Sequence, residues 1–269
     1  MRLFFFLLGI FLSPAWLQAK GKEVKIALFD FCPWQCPDLG EPQRPGIIVE
    51  AAKAIFKEAG YRVQFFTVPY ARAIKGTEEG DYDVILNLNA HTSQKLLLSE
   101  ESSAYIEMNF YLRKDDLWHY KGIPSLKSIQ IISIIGYDYS PISPSYQKYI
   151  SENENTGKVV FLSGDNASER AFRMVLEKRA TTFNEAASVF EYSTLKAGIR
   201  NQFKKGETLG GGPLYAGFTP RRTSAKTFRN VFDKGIIKLR ESGALKKILD
   251  HYGVSDWRGN KKTIMSQWD

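Results

Sequence analysis

The 269-residue chain has 43% hydrophobic and 25% charged residues and a formal net charge of +8. That balance belongs to a packed globular protein, and no internal repeat, low-complexity stretch or Gly/Ser linker interrupts it. Lys and Arg are spread along the chain rather than clustered with aromatics, which argues against a nucleic-acid partner and leaves a solvated basic surface that would help attract an anionic ligand.

The chain begins Met1-Arg2, continues as an unbroken apolar run from Leu3 to Leu12, and breaks at Ser13-Pro14. Leu17-Gln18-Ala19 offers a small residue before Lys20. This order predicts a secretory signal peptide over 1–19, cleaved near Ala19, and a periplasmic mature protein. The run is about half of the ~20 residues that a membrane-spanning helix needs. No Cys follows it to take a lipid, and no later segment is apolar enough to span.

Val24 to Asp30 reads as a buried strand, followed by a loop with Cys32, Trp34 and Cys36. Two exported cysteines this close predict a structural disulfide that stiffens the loop around Trp34. The rival readings are a redox pair, which usually has two intervening residues, and a zinc site, for which His91, His119 and His251 are too scattered. From Ile48 the residues Ala51, Ala52, Ile55, Phe56 and Ala59 keep helical spacing until Gly60. Val63–Val68 is the next strand. A short helix near 71–79 leads through Gly80-Asp81 to a strand over 82–87. Strand and helix alternate again from residue 129: strand 129–135, a helix entered by Ser143-Pro144, strand 159–162, a helix opened by an Asn166/Glu169 capping box, strand 179–183 and helix 184–195. Two amphipathic helices close the chain, one carrying Phe228, Phe232 and Ile236, the other Leu245, Leu249 and Tyr252. Such alternation predicts an α/β fold with mainly parallel sheet and right-handed crossovers.

Several strings carry a resemblance. Gly46-Ile47-Ile48-Val49-Glu50-Ala51-Ala52, Pro69-Tyr70-Ala71-Arg72-Ala73-Ile74 and Gly80-Asp81-Tyr82-Asp83 resemble the first lobe of family 3 extracellular solute-binding proteins. Leu239-Arg240-Glu241-Ser242-Gly243-Ala244-Leu245 is similar to that family's closing helices, and Pro213–Pro220 to the return crossing between its lobes. The Cys32–Cys36 pair, Trp118-His119-Tyr120 and Asp256-Trp257 are similar to one branch of it. The resemblance implies a two-lobed type II periplasmic binding protein, each lobe a mixed, mainly parallel sheet flanked by helices. It implies lobe 1 at 24–112 plus 217–260, lobe 2 at 113–216, a C-terminal tail at 261–269, and hinges near Leu112-Arg113 and Leu214-Tyr215. A small polar ligand, amino-acid-like or another small anion or zwitterion, would be captured between the lobes by hinge closure, for an ABC permease. The implied protein is monomeric, without cofactor, metal or catalysis.

On this reading the cleft candidates are Trp34, for stacking on a flat or cationic group; Tyr70 and Arg72, the latter as a carboxylate or phosphate clamp; the amides Asn87 and Asn89; Tyr137 and Tyr139 in a loop suited to an anion; and Asn184 with Glu185, near where relatives place an acid for a ligand ammonium. Each has a plainer alternative: Trp34 packs on the disulfide loop, Arg72 pairs with Glu78 or Glu79, and Glu185 offsets a helix dipole. One departure matters. Amino-acid binders of the family carry Thr-x-x-Arg after the third strand, whereas this chain has Thr92-Ser93-Gln94-Lys95. Lys95 is a point charge without the planar fork, so the ligand need not be an α-amino acid. Two other functions use the same fold: sensing, with docking on a membrane receptor, and catalysis like that of periplasmic dehydratases. A buried cleft carboxylate with no basic partner and a raised pKa would favour catalysis.

Overall fold

A computed structural model describes residues 22–36, 44–92, 94–164 and 166–260; the expected signal peptide and the 261–269 tail lie outside them. β1 (Glu23–Leu28), α1 (Ile47–Glu58), β2 (Arg62–Thr67), α2 (Tyr70–Glu79) and β3 (Val84–Leu88) make the first unit, with β1 parallel to both β2 and β3. Val24, Ile26, Ala27 and Leu28 are all buried because helices cover both faces of this sheet. α1 lays Ile48, Ala52, Ile55 and Phe56 against Phe228 and Phe232 of α6 (Ala225–Glu241). α7 (Ala244–Tyr252) anchors the start of α1, since the Tyr252 hydroxyl accepts from Gly46 N–H (2.8 Å) and donates to Glu50 (2.6 Å).

β4 (Leu97–Arg113) then leads into the second unit: β5 (Ile131–Ile134), α3 (Pro144–Glu152), β6 (Val159–Leu162), α4 (Ala167–Leu176), β7 (Thr182–Ala186) and α5 (Ala187–Lys196). β5 is parallel to β6 and β7, and Phe172, Phe183, Phe190 and Phe203 pack on one of its faces. β8 (Phe203–Phe218) returns. All strands join one sheet in the order β2-β1-β3-β8-β4-β7-β5-β6. Each end is a parallel trio, and the long antiparallel pair β4–β8 ties the trios together. The fold class expected from the sequence is therefore present.

Met108–Leu112 of β4 pair with β7 of the second unit. Several local expectations are corrected. Asn184 and Glu185 are strand residues of β7, held there by pairing with Phe110 and Asn109, and the helix begins at Ala187. Asn166 stands at the N-terminus of α4 with left-handed backbone (φ 53°) and its side chain makes no cap hydrogen bond; Glu169 pairs instead with Arg173 at 2.9 Å. By contrast, Ser143 caps α3 as expected, its hydroxyl accepting from Tyr146 N–H at 3.3 Å.

The loop after β1 is cross-linked by Cys32–Cys36. Gly46 is needed against it: at φ 112° its missing Cβ would lie 2.5 Å from the Trp34 carbonyl oxygen. Among the described residues no helix is long and apolar enough to cross a membrane.

Candidate functional site

A cavity of about 220 Å³ lies between the two trios of strands, where the ends of β1, β3 and β7 and the loop after β5 converge on the middle of β4 and β8. This is where ligands bind in open α/β sheets. The first half contributes Phe29 and Phe31 from the end of β1, Tyr70 from the first turn of α2, and Asn87 and Asn89 from the end of β3. The second half contributes Tyr137, Asp138 and Tyr139 from the loop after β5, and Glu185 from β7. Ile106, Met108 and Gly211–Tyr215 of the long strands close the floor.

The walls are aromatic. Phe29 and Tyr70 rings are 4.5 Å apart at 50°, Tyr70 meets Tyr137 across the cleft at 6.2 Å and 90°, and Tyr137 meets Tyr139 at 6.1 Å and 70°. Gly136 permits this approach, because a Cβ there would stand 3.0 Å from the Tyr70 ring. Burial, reinforced by Asp138, pushes the Tyr70 hydroxyl up to about 12. Burial and then Glu185 push Tyr137 well up. Both phenols are therefore neutral donors at ordinary pH.

Glu185 is the chemically distinctive residue. Its side chain is fully buried, and its carboxylate accepts from Ala186 N–H (2.7 Å), Ser168 Oγ (2.8 Å) and Tyr137 OH (3.3 Å). Burial outweighs these donors and raises its pKa from 4.5 to about 7, with Asp30 adding to the rise. Glu185 forms no ion pair among the described residues. Asn87, at φ 58°, accepts from Ser103 Oγ (2.8 Å), while its amide nitrogen has no partner among the described residues. Asn89 accepts from His91 N–H and Thr92 N–H and donates to the Asp138 carbonyl at 2.9 Å.

That last bond joins the two halves, and two more do the same. Trp34 Nε1 donates to Ser188 Oγ of α5 at 2.9 Å, and Asn166 N–H donates to Asp30 at 3.0 Å. The cleft is thus closed over by contacts on several sides.

Of the ten residues put forward from the sequence, Tyr70, Asn87, Asn89, Tyr137, Tyr139 and Glu185 line this cavity, and four do not. Trp34 is buried behind it, edge-on to Trp257 at 5.6 Å. Asn184 is buried on the opposite face of β7, its amide unpartnered among the described residues. Arg72 is on the exposed side of α2. Lys95 is exposed and pairs with Glu78 at 3.4 Å. Sequence reasoning missed Phe29, Phe31, Asp138 and the Gly211–Tyr215 floor. The signal for the phenylalanines was their place directly after the first strand.

The family model for bacterial extracellular solute-binding proteins, family 3, matches residues 30–255. No curated protein matches by sequence. A structure from work on glutathione import via GshT and the cystine ABC importer TcyBC of Streptococcus mutans is similar at TM-score 0.70 and 20% identity, over 87% of this chain and 96% of that one. A mutant of ArgBP from T. maritima is similar at 0.68 and 16%, over 86% and 94%. The ancestral amino acid-binding protein AncCDT-1, a precursor of cyclohexadienyl dehydratase, is similar at 0.65 and 16%, over 86% and 95%. At such identities these likenesses speak for the fold, which is that of type II periplasmic binding proteins. Taken with the match over most of its length, they place this chain in family 3 of the bacterial extracellular solute-binding proteins.

Proposed function

We propose that the protein is exported and captures a small polar solute in the cleft between its two halves, handing it to an inner-membrane ABC permease. The observation that carries this is the cavity at the strand ends, walled by rings and supplied with a few convergent polar groups. Closure would turn on the middle of β4 and β8, the connections between the two parallel trios. The Gly210-Gly211-Gly212 run gives β8 the backbone freedom for it. The lobes are then residues up to about 101 plus those after about 214, and the segment between. A membrane receptor is the other docking partner that this arrangement would serve, and the chain would act as a monomer without cofactor.

The test is a thermal-shift screen against amino acids, amines, organic acids and small sugars. A true ligand at a hundred times its Kd adds about 2.7 kcal/mol of stability. A melting temperature unmoved by every compound would remove the reading.

Glu185 favours a second reading. It is the buried cleft carboxylate, without basic partner and with a pKa raised to about 7, that a general acid requires. A catalyst would consume its ligand, so NMR of the ligand during incubation separates the two. Turnover that Glu185→Gln abolishes would establish an enzyme; an unaltered spectrum would leave a binding protein.

A further inference from the structure

The charge pattern of the cleft narrows its cargo, an inference that rests on reading the cleft as the solute site. Asp138 and Glu185 both line it, and among its described lining residues there is no Arg and no Lys. His91 stands at its exposed rim. The basic residues nearest in sequence are directed elsewhere, Lys95 to Glu78 and Arg72 to the outer side of α2. Asp138 accepts from Ser140 N–H (2.9 Å) and Ser140 Oγ (2.6 Å), and Glu185 accepts only from neutral donors. Neither carboxylate is neutralised by a side-chain cation among the described residues. In a partly enclosed, weakly polar space such charges are screened less than in bulk water.

A ligand carboxylate entering here would meet two acidic side chains and, among the described lining residues, no guanidinium or ammonium to offset its lost hydration. A cation meets the opposite. Phe29, Tyr70, Tyr137 and Tyr139 present rings at steep angles to one another, so a compact cation touches several faces or edges at once. Rings arranged this way attract alkylammonium groups through their quadrupoles. Two buried neutral groups of the lining have no hydrogen-bond partner among the described residues, the Asn87 amide nitrogen and the Tyr139 hydroxyl. The Asn87 oxygen is engaged by Ser103. A buried donor of this kind calls for an acceptor on the ligand.

We propose that the cleft takes a small organic cation that carries no carboxylate, with its ammonium among the rings and towards Glu185 and a neutral acceptor such as a hydroxyl or imidazole nitrogen at Asn87. This proposal departs from the amino-acid-like ligand, or other small anion or zwitterion, expected from the sequence.

The experiment uses matched pairs that differ by a carboxylate: choline and glycine betaine, histamine and histidine, tyramine and tyrosine, agmatine and arginine. Calorimetry on the full mature chain is expected to show, in at least one pair, the carboxylate-free member binding ten-fold or more tightly than its partner. Glu185→Gln is expected to weaken that cation about ten-fold or more, with far-UV circular dichroism confirming the fold. Amino acids binding while every amine fails would overturn the cation proposal and leave the cleft reading standing. Glu185→Gln without effect on a bound amine would also overturn it. If neither set nor the wider screen binds, both readings fall together.

Discussion

The two halves of the molecule are built alike and furnish the cleft differently. Each is a parallel trio of strands with helices on its faces. The first half brings Phe29, Phe31, Tyr70, Asn87 and Asn89, which are rings and neutral amides. The second brings both carboxylates, Asp138 and Glu185, between Tyr137 and Tyr139. Shape is thus divided between the halves, while the carboxylates come from one alone. A ligand first docked on the first half would be selected by charge only when the second swings onto it, which couples recognition to closure.

The largest effects should fall on the two cores and should be alike, because β4 and β8 bind both halves into one sheet. Phe232→Ala in the first half and Phe172→Ala in the second each remove a fully buried ring. Each is expected to cost about 3–5 kcal/mol. Calorimetry should show one transition moving down in both variants. Two separate transitions, with only one moving in each variant, would mean that the halves unfold independently.

The cleft should break that symmetry. Glu185 has a folded-state pKa raised from 4.5 to about 7, so the folded protein resists its ionisation. Below pH 4.5 the group is protonated folded or unfolded and contributes nothing. As pH rises through the interval the unfolded chain ionises first, and the folded state loses relative stability until about pH 7. The full penalty, up to about 3 kcal/mol, is present above that. Burial and then Asp30 set it, while the Ala186 N–H, Ser168 and Tyr137 reduce it. Glu185→Gln should therefore raise stability at pH 8 and do little at pH 4, measured by urea melts at both. Equal effects at the two values would place the charge in water rather than in the protein.

How much of this was legible in the sequence depends on how each element is buried. β1, β3 and β5 announced themselves because both faces are covered and the runs are mostly apolar. β4 did not. Its register shifts at four places against β8, so inside and outside positions lose their period of two, and Ser102 and Ser103 are buried amid it. Six cleft residues were found because they sit where strands end, a position that topology alone marks. Arg72 and Lys95 were put forward for their charge, yet nothing local tells which side of α2, or of the turn after β3, faces in. Trp34 was seen as a possible stacking residue and is a contact between halves instead, since its ring is covered by Trp257 and its N–H reaches α5.

That contact gives a smaller prediction about closure. Trp34→Phe removes the bond to Ser188 while keeping a ring, and should cost about 1 kcal/mol. Ser188→Ala should cost as much, and the double variant little more than either, since they share one interaction. Small-angle scattering should show both singles shifted towards a wider radius of gyration without ligand. Additive costs in the double variant would mean that Trp34 stabilises the first half alone.

The smallest effects discriminate best between charge and place. Arg72→Ala and Lys95→Ala change exposed groups outside the cleft, and exposed ion pairs such as Lys95–Glu78 contribute little. Each should alter stability by less than about 0.5 kcal/mol and leave the affinity for the cleft's ligand unchanged in calorimetry. A ten-fold loss in Arg72→Ala would reverse the assignment of charge to the second half. It would require α2 to turn its outer side inward on binding, and so a ligand-bound form that differs in more than the angle between the halves. Unchanged affinity in both variants, beside a loss in Glu185→Gln, would leave the second half's carboxylates as the cleft's sole source of charge selection.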